Sequence, residues 1–162
     1  LESYMIRLTQ TLLAGASAAR PLVGHCASRF SPAEIRQAIA ELVTHQHIDM
    51  ARALCEAGLS LYPDSEDIVS ISALLAELDQ DWQIAQQHLE KLLELQGHFS
   101  QALVWRHLIR VVRCQLEPLK ALKLAQQAAV LHPQDTDLQA ELNALREEAA
   151  HHTLTEATEL AH

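Results

Sequence analysis

The sequence predicts an all-α protein, and three observations carry that reading. Apolar residues make up 49% of the 162 but aromatics only 4%, so the core must be built from Leu, Ala, Ile and Val, which suits close helix packing. Four glycines and five prolines leave little turn material for a many-stranded sheet. The third observation is a phase. Ala51, Ala85 and Ala121 stand at or near the head of the amphipathic runs MARALCEAGLSLYP, IAQQHLEKLLELQG and ALKLAQQAAVLHP, at intervals of 34 and 36 residues. Pro63 and Pro133 each follow their alanine by twelve residues. A period near 34 is the mark of stacked helix pairs.

The first helix is expected over residues 2–18, with Met5, Leu8, Leu12 and Leu13 on one apolar face, and Pro21 and Gly24 end it. The second has the clearest start in the chain. Ser31 suits the N-cap, Pro32 the first helical position, Glu34 completes a capping box, and Phe30 against Ile35 makes a hydrophobic staple. Ile35, Ala38, Ile39 and Leu42 form its buried stripe. A turn at His45–His47 leads to a partner helix with Ala51, Cys55, Gly58, Leu59 and Leu61 inward, ended by Pro63.

Asp64, Ser65, Glu66 and Asp67 give an acidic start to the next helix, favoured by the positive end of the helix dipole. It carries Ile68, Ile71, Leu74, Leu75 and Leu78. Asp79–Asp81 turn the chain into a partner helix over 82–95, with Gly97 as its C-cap. A third pair begins near Ser100, with Ala102, Trp105, Leu108, Ile109 and Val112 inward. It turns at Gln115–Glu117, restarts at Pro118 and stops at Pro133. A last helix over 135–150 buries Leu138, Leu142 and Leu145 and is charged elsewhere, as a cap on an open-ended stack should be. The expected organisation is therefore 1–31 as N-terminal helix and connector, 32–65, 66–101 and 102–133 as helix pairs, 134–150 as cap, and 151–162 as a flexible tail.

The net charge of −9 is unevenly spread. Residues 1–60 are neutral, 61–97 carry −7, 98–133 carry +4 and 134–162 carry −6. Overall acidity argues against bulk nucleic-acid or anionic-membrane binding. Cys26, Cys55 and Cys114 are odd in number and widely spaced, so no disulfide framework is expected and a reducing, cytoplasmic compartment is favoured. No apolar run reaches the length of a membrane span. Residues 11–19, TLLAGASAA, have the small-residue character of a signal-peptide end. They follow Arg7, Thr9 and Gln10, however, and continue as the back of an amphipathic helix. A chain that begins at Leu1 leaves room for a longer parent protein.

Aligned on their alanines, the three units resemble tetratricopeptide repeats. That family has a small residue at the start of its second helix, another seven later and Pro five after that. Ala51/Gly58/Pro63 and Ala121/Ala128/Pro133 match throughout, and Ala85/Leu92/Gly97 matches only at Ala85. Trp105, and less closely Ile35, occupies the family's early large position. Asp81-Trp82 follows its turn motif with Gln80 in place of Gly, and Ala73 its small position in the first helix, which Ile39 and Ile109 replace in the other units. The resemblance spans residues 32–133 and implies an α-α superhelix of about three helix pairs. The competing reading of the same spacing is an irregular helical bundle.

The resemblance also implies a concave face lined by the first helix of each pair. Its candidate residues are Arg36, with Ala40 and Val43; Ser70, Leu74, Glu77 and Leu78; and Leu103, Arg106, Arg110 and Arg113. Arg106, Arg110 and Arg113 share one helical face by their spacing alone. Such a strip suits an acidic peptide, with guanidinium forks pairing its carboxylates. Equally, these arginines fit a solvated face or pairs with the 61–97 acidic block. A chaperone-tail clamp of the kind some family members carry needs Lys and Asn where this chain has Arg36, Gln37, Arg106 and His107.

No phosphate loop, GxSxG elbow or HExxH is present, and His25-Cys26 are sequence neighbours rather than a productive pair, so no catalysis is expected. Ten histidines show no metal-ligand spacing, and neither metal nor cofactor is expected. The expected function is protein–protein interaction, as an adaptor or a secretion or assembly chaperone holding a peptide or helix in a groove. The alternatives are a non-catalytic module of a larger protein, such as one of the bacterial envelope, and an RNA-binding repeat, the latter disfavoured by charge and scarce aromatics. The N-terminal helix is a candidate for self-association.

Overall fold

The computed structural model describes residues 30–159, so the expected N-terminal helix lies outside the described residues. Among the described residues there are seven α-helices, one 3-10 turn and no strand. In chain order they are α1 (Pro32–Thr44), α2 (Ile48–Leu61), α3 (Glu66–Leu78), α4 (Trp82–Gln96), the 3-10 turn Gly97–Phe99, α5 (Ala102–Cys114), α6 (Pro118–Leu131) and α7 (Thr136–Glu159). Two compact units divide between Leu75 and Ala76, inside α3.

In the first unit, α1 starts as its sequence dictates. Ser31 Oγ accepts from the Glu34 N–H at 3.3 Å, and Glu34 Oε2 accepts from the Ser31 N–H at 2.8 Å. The reciprocal bonds satisfy two donors that the first turn would otherwise leave open. Ile35, Ala38 and Ile39 of α1 meet Ala51, Leu54 and Cys55 of α2 and Ile68, Ile71 and Leu75 of α3 in one core. A Cβ on Gly58 would stand 3.3 Å from both Ile35 Cγ2 and Ile68 Cδ1, which is why the helices need a small residue there. Leu54 is buried where the sequence pointed to Leu59 and Leu61, which only flank the core. The stripe is 51, 54/55, 58, with the 3.6-residue period of a helix face.

Two polar contacts close this unit. Tyr62 donates its hydroxyl to the Phe30 carbonyl at 2.9 Å, pinning the chain ahead of α1 to the end of α2. Buried Ser72 donates to the Ile68 carbonyl at 2.7 Å, so at the 2.9 Å contact between Cys55 Sγ and Ser72 Oγ the thiol is the donor. Burial pushes the Cys55 thiol pKa up, and the side chain behaves as packing.

In the second unit, Asp81 caps α4 by accepting from the Ile84 N–H at 3.2 Å. Gly97, at φ 54°, ends it. Ala85, Leu89 and Leu92 of α4, Leu108, Ile109 and Val112 of α5, Ala121, Ala125 and Ala128 of α6, and Leu138, Leu142 and Leu145 of α7 are buried. Val104 and Val111 are buried as well, whereas Ala102 and Trp105, expected inward, are half-buried. Trp105 lies at the margin, where its indole N–H donates to buried Ser100 at 3.1 Å. The last helix runs on to Glu159, past the boundary at 150 beyond which a flexible tail was expected. Residues 151–159 contain no Gly or Pro to stop it.

The repeat is also written in the backbone. Gln46, Gln80 and Leu116 have φ of 64°, 59° and 60°, each five residues before an alanine anchor and so at the same 34- and 36-residue intervals. Each closes a Schellman motif: the N–H groups of His47, Asp81 and Glu117 reach the carbonyls of Leu42, Ala76 and Val112 at 2.8, 2.9 and 3.3 Å. Gly would be the natural residue at these three sites, and the chain uses none there.

Candidate partner-binding surface

In the first unit, Arg36 of α1 bridges to Asp67 in the first turn of α3 at 2.7 Å. Ser70 donates to the Asp67 carbonyl at 3.0 Å, and Leu74 is 42% exposed.

In the second unit, α5 presents Leu103, Arg106, Arg110 and Arg113 on one face, as their spacing requires, with Arg106 half-buried and the other three exposed. Every arginine of that face is held by a carboxylate of the same chain. Arg106 Nη1 lies 2.6 Å from Asp137 Oδ2, and Arg113 Nη2 lies 2.8 Å from Glu148 Oε1, both carboxylates on α7. Arg110 reaches back to Glu77 at the end of α3. Thus one of the three pairs with the 61–97 acidic block and two with the 134–162 block. The guanidinium side chains nevertheless remain 40%, 58% and 41% exposed in chain order, so each keeps N–H groups facing solvent.

Glu77 is the anchor of this arrangement. Its side chain is 6% exposed, and a carboxylate so buried requires compensation. Arg110 supplies it on one oxygen and His107 Nδ1 on the other, at 2.8 Å. Because a carboxylate only accepts, His107 donates through Nδ1–H in this contact, and the 3.2 Å approach of Arg110 Nη2 to the same nitrogen is then a proximity rather than a hydrogen bond. Burial, and then the neighbouring Arg106, hold the His107 pKa below its ordinary value, so the ring is neutral at pH 7. Glu141 on α7 is half-buried, which raises its carboxyl pKa against the opposing pull of Arg113, Arg106 and Arg110.

Sequence reasoning placed the arginines on one face and offered the 61–97 block, which supplies Glu77, as an alternative partner, but it missed the α7 carboxylates. One signal was available. Arg36 and Arg106 are 70 residues apart, as are Asp67 and Asp137, and 70 is the sum of the two repeat intervals. The two ion pairs are therefore one contact repeated, joining the first helix of a pair to the next such helix. At the intervening repeat positions the chain has Ser70 and Gln101, two uncharged residues that cannot form an ion pair.

The helix pairs, their alanine anchors and the recurring left-handed turns define a TPR-like helical repeat protein. Solved structures of MamA, a TPR-like helical repeat protein, share the fold. MamA of AMB-1 superposes with a TM-score of 0.65 at 17% identity, covering 99% of this chain and 93% of that one. MamA of MSR-1 gives 0.63 at 16% identity, covering 93% and 83%. No protein-family model matches the chain. Among curated proteins, the probable biofilm formation methyltransferase WspC of Pseudomonas putida is 32% identical over 112 residues, which make up 69% of this chain and 26% of that protein. The chain thus spans about a quarter of the length of the relative it matches. Among the described residues no helix is long and apolar enough to cross a membrane.

Proposed function

We propose that this chain is a protein-interaction module, an adaptor or assembly chaperone that works as a non-catalytic part of a protein of the WspC kind. The match to a methyltransferase over a quarter of its length supports this reading, because the matching segment is built as helical repeats and the methyl-transfer chemistry then belongs to other parts of such a protein. In the second unit the partner lies along the exposed face of α5. Leu78 and Leu103, 60% and 55% exposed, offer apolar contact, and Arg106, Arg110 and Arg113 fix charge and register.

The observation that carries the site is the buttressing of the arginines. Each guanidinium is oriented by an in-chain carboxylate through one edge, which lowers the entropy lost when its remaining N–H groups meet a partner carboxylate. The test must spare Arg110, because its removal strands Glu77. Leu78→Ser with Leu103→Ser changes only exposed side chains and should leave Tm within about 2 °C. The immobilised variant should recover at least tenfold less partner from a lysate of the native cells than the parent chain, by quantitative mass spectrometry. Equal recovery would remove this face from consideration.

A further inference from the structure

The outer sides of α4 and α6 are left uncovered, and they are complementary. On α6, Leu119, Lys123, Gln126 and Val130 form one stripe at helical spacing. All four are exposed, Leu119 at 69% and Val130 at 80%. Lys120 lies beside the stripe, with its ammonium 3.1 Å from Glu117, an exposed i,i+3 pair of small energetic weight. On α4 the corresponding stripe is Gln83, Gln87, Glu90 and Glu94, all exposed, edged by Ile84 at 45% and Leu95 at 36%. Glu90 accepts a bond from Gln86 of its own helix at 2.6 Å, which orients the carboxylate without neutralising it.

α6 therefore carries Lys120 and Lys123 in its first half and is apolar at both ends, while α4 exposes Glu90 and Glu94 in its second half, with Lys91 half-buried between them, and has apolar edges at both ends. Side by side and antiparallel, the two match along their length. Lys120 and Lys123 meet Glu94 and Glu90, Val130 meets Ile84, and Leu119 meets Leu95. Both charge pairs are spaced by about one helical turn, ~5 Å. Short connections make α4, α5 and α6 alternate in direction, so α4 and α6 of one molecule run the same way and cannot form this contact with each other.

We infer that the outer face of α6 binds the outer face of α4 on a second copy of this chain, head to tail. The contact uses other helices than the α5 face assigned above and stands independently of it. Because it joins different surfaces on the two copies, the dimer keeps one free face of each kind, and assembly continues beyond the dimer.

Sedimentation velocity on the full 162-residue chain tests this. The average mass should rise with protein concentration and fall with added salt, which screens the lysine–glutamate pairs. Lys120→Glu with Lys123→Glu should weaken association at least tenfold, as should Glu90→Lys with Glu94→Lys. Circular dichroism should report both variants folded. Mixing the two variants should restore mixed assemblies, because each then offers the surface the other lacks, and one chain carrying all four substitutions should assemble alone. A chain that stays monomeric at every concentration overturns the inference. So does association that both variants leave unchanged, including association lost only when residues 1–29 are removed, which would name that segment as the occupant.

Discussion

Arg36 with Asp67 and Arg106 with Asp137 are the same contact in two places, yet their surroundings differ. In the first unit the pair stands alone at the surface, with side chains 50% and 42% exposed. In the second it is followed, one turn along α5, by Arg110, whose partner Glu77 is 6% exposed. The surface pair joins one helix to the next at little energy, because water already solvates both charges well. The buried one compensates a charge that the fold has removed from water, and losing it leaves that charge stranded. Depth, rather than residue type, decides what an arginine–carboxylate pair does here.

Arg110→Leu should break the comparison most strongly. Glu77 would keep only His107, and unfolding in urea should show a loss of about 2 kcal/mol, the cost of a buried carboxylate left partly satisfied. Replacing both partners, as Glu77→Leu with Arg110→Leu, should recover most of that loss, since no buried charge remains. If the double variant is as unstable as Arg110→Leu, Glu77 contributes something other than a compensated charge.

The surface pairs should respond far less. Arg36→Leu and Arg106→Leu should each cost under about 1 kcal/mol, and by similar amounts, because the two contacts are repeat equivalents. A clearly larger loss at Arg106 would mean that it also supports Glu141, whose carboxyl it helps to ionise.

The smallest effect is in pH dependence. Burial lowers the folded-state pKa of both His107 and His88, so their contribution to stability is present above the usual histidine pKa of 6.5 and is lost as pH falls through the folded values. Tm should therefore fall between pH 7 and pH 5, and His107→Gln should make that fall shallower. A chain with an unchanged slope would place His107 outside the acid response.

Much of this molecule was legible in its sequence. Ser31, Pro32 and Glu34 start α1 through contacts within one turn, and the alanines at 51, 85 and 121 are buried because close helix packing has room for nothing larger. These signals are local or periodic, so one chain carries them whole. Leu54, Val104 and Val111 went unread because a stripe two residues wide tolerates more than one choice of inward face. The left-handed turns were hidden behind Gln46, Gln80 and Leu116, since none of these residue types announces a positive φ.

The sequence by itself determined the helices, their caps, the repeat interval and the common face of Arg106, Arg110 and Arg113. Tertiary structure alone decided that Arg110 compensates a buried Glu77 and that Arg106 and Arg113 pair with carboxylates of α7. The physical reason is distance along the chain. Those contacts bridge residues 31, 33 and 35 positions apart, and only the packed register of one helix on another brings them within hydrogen-bond reach.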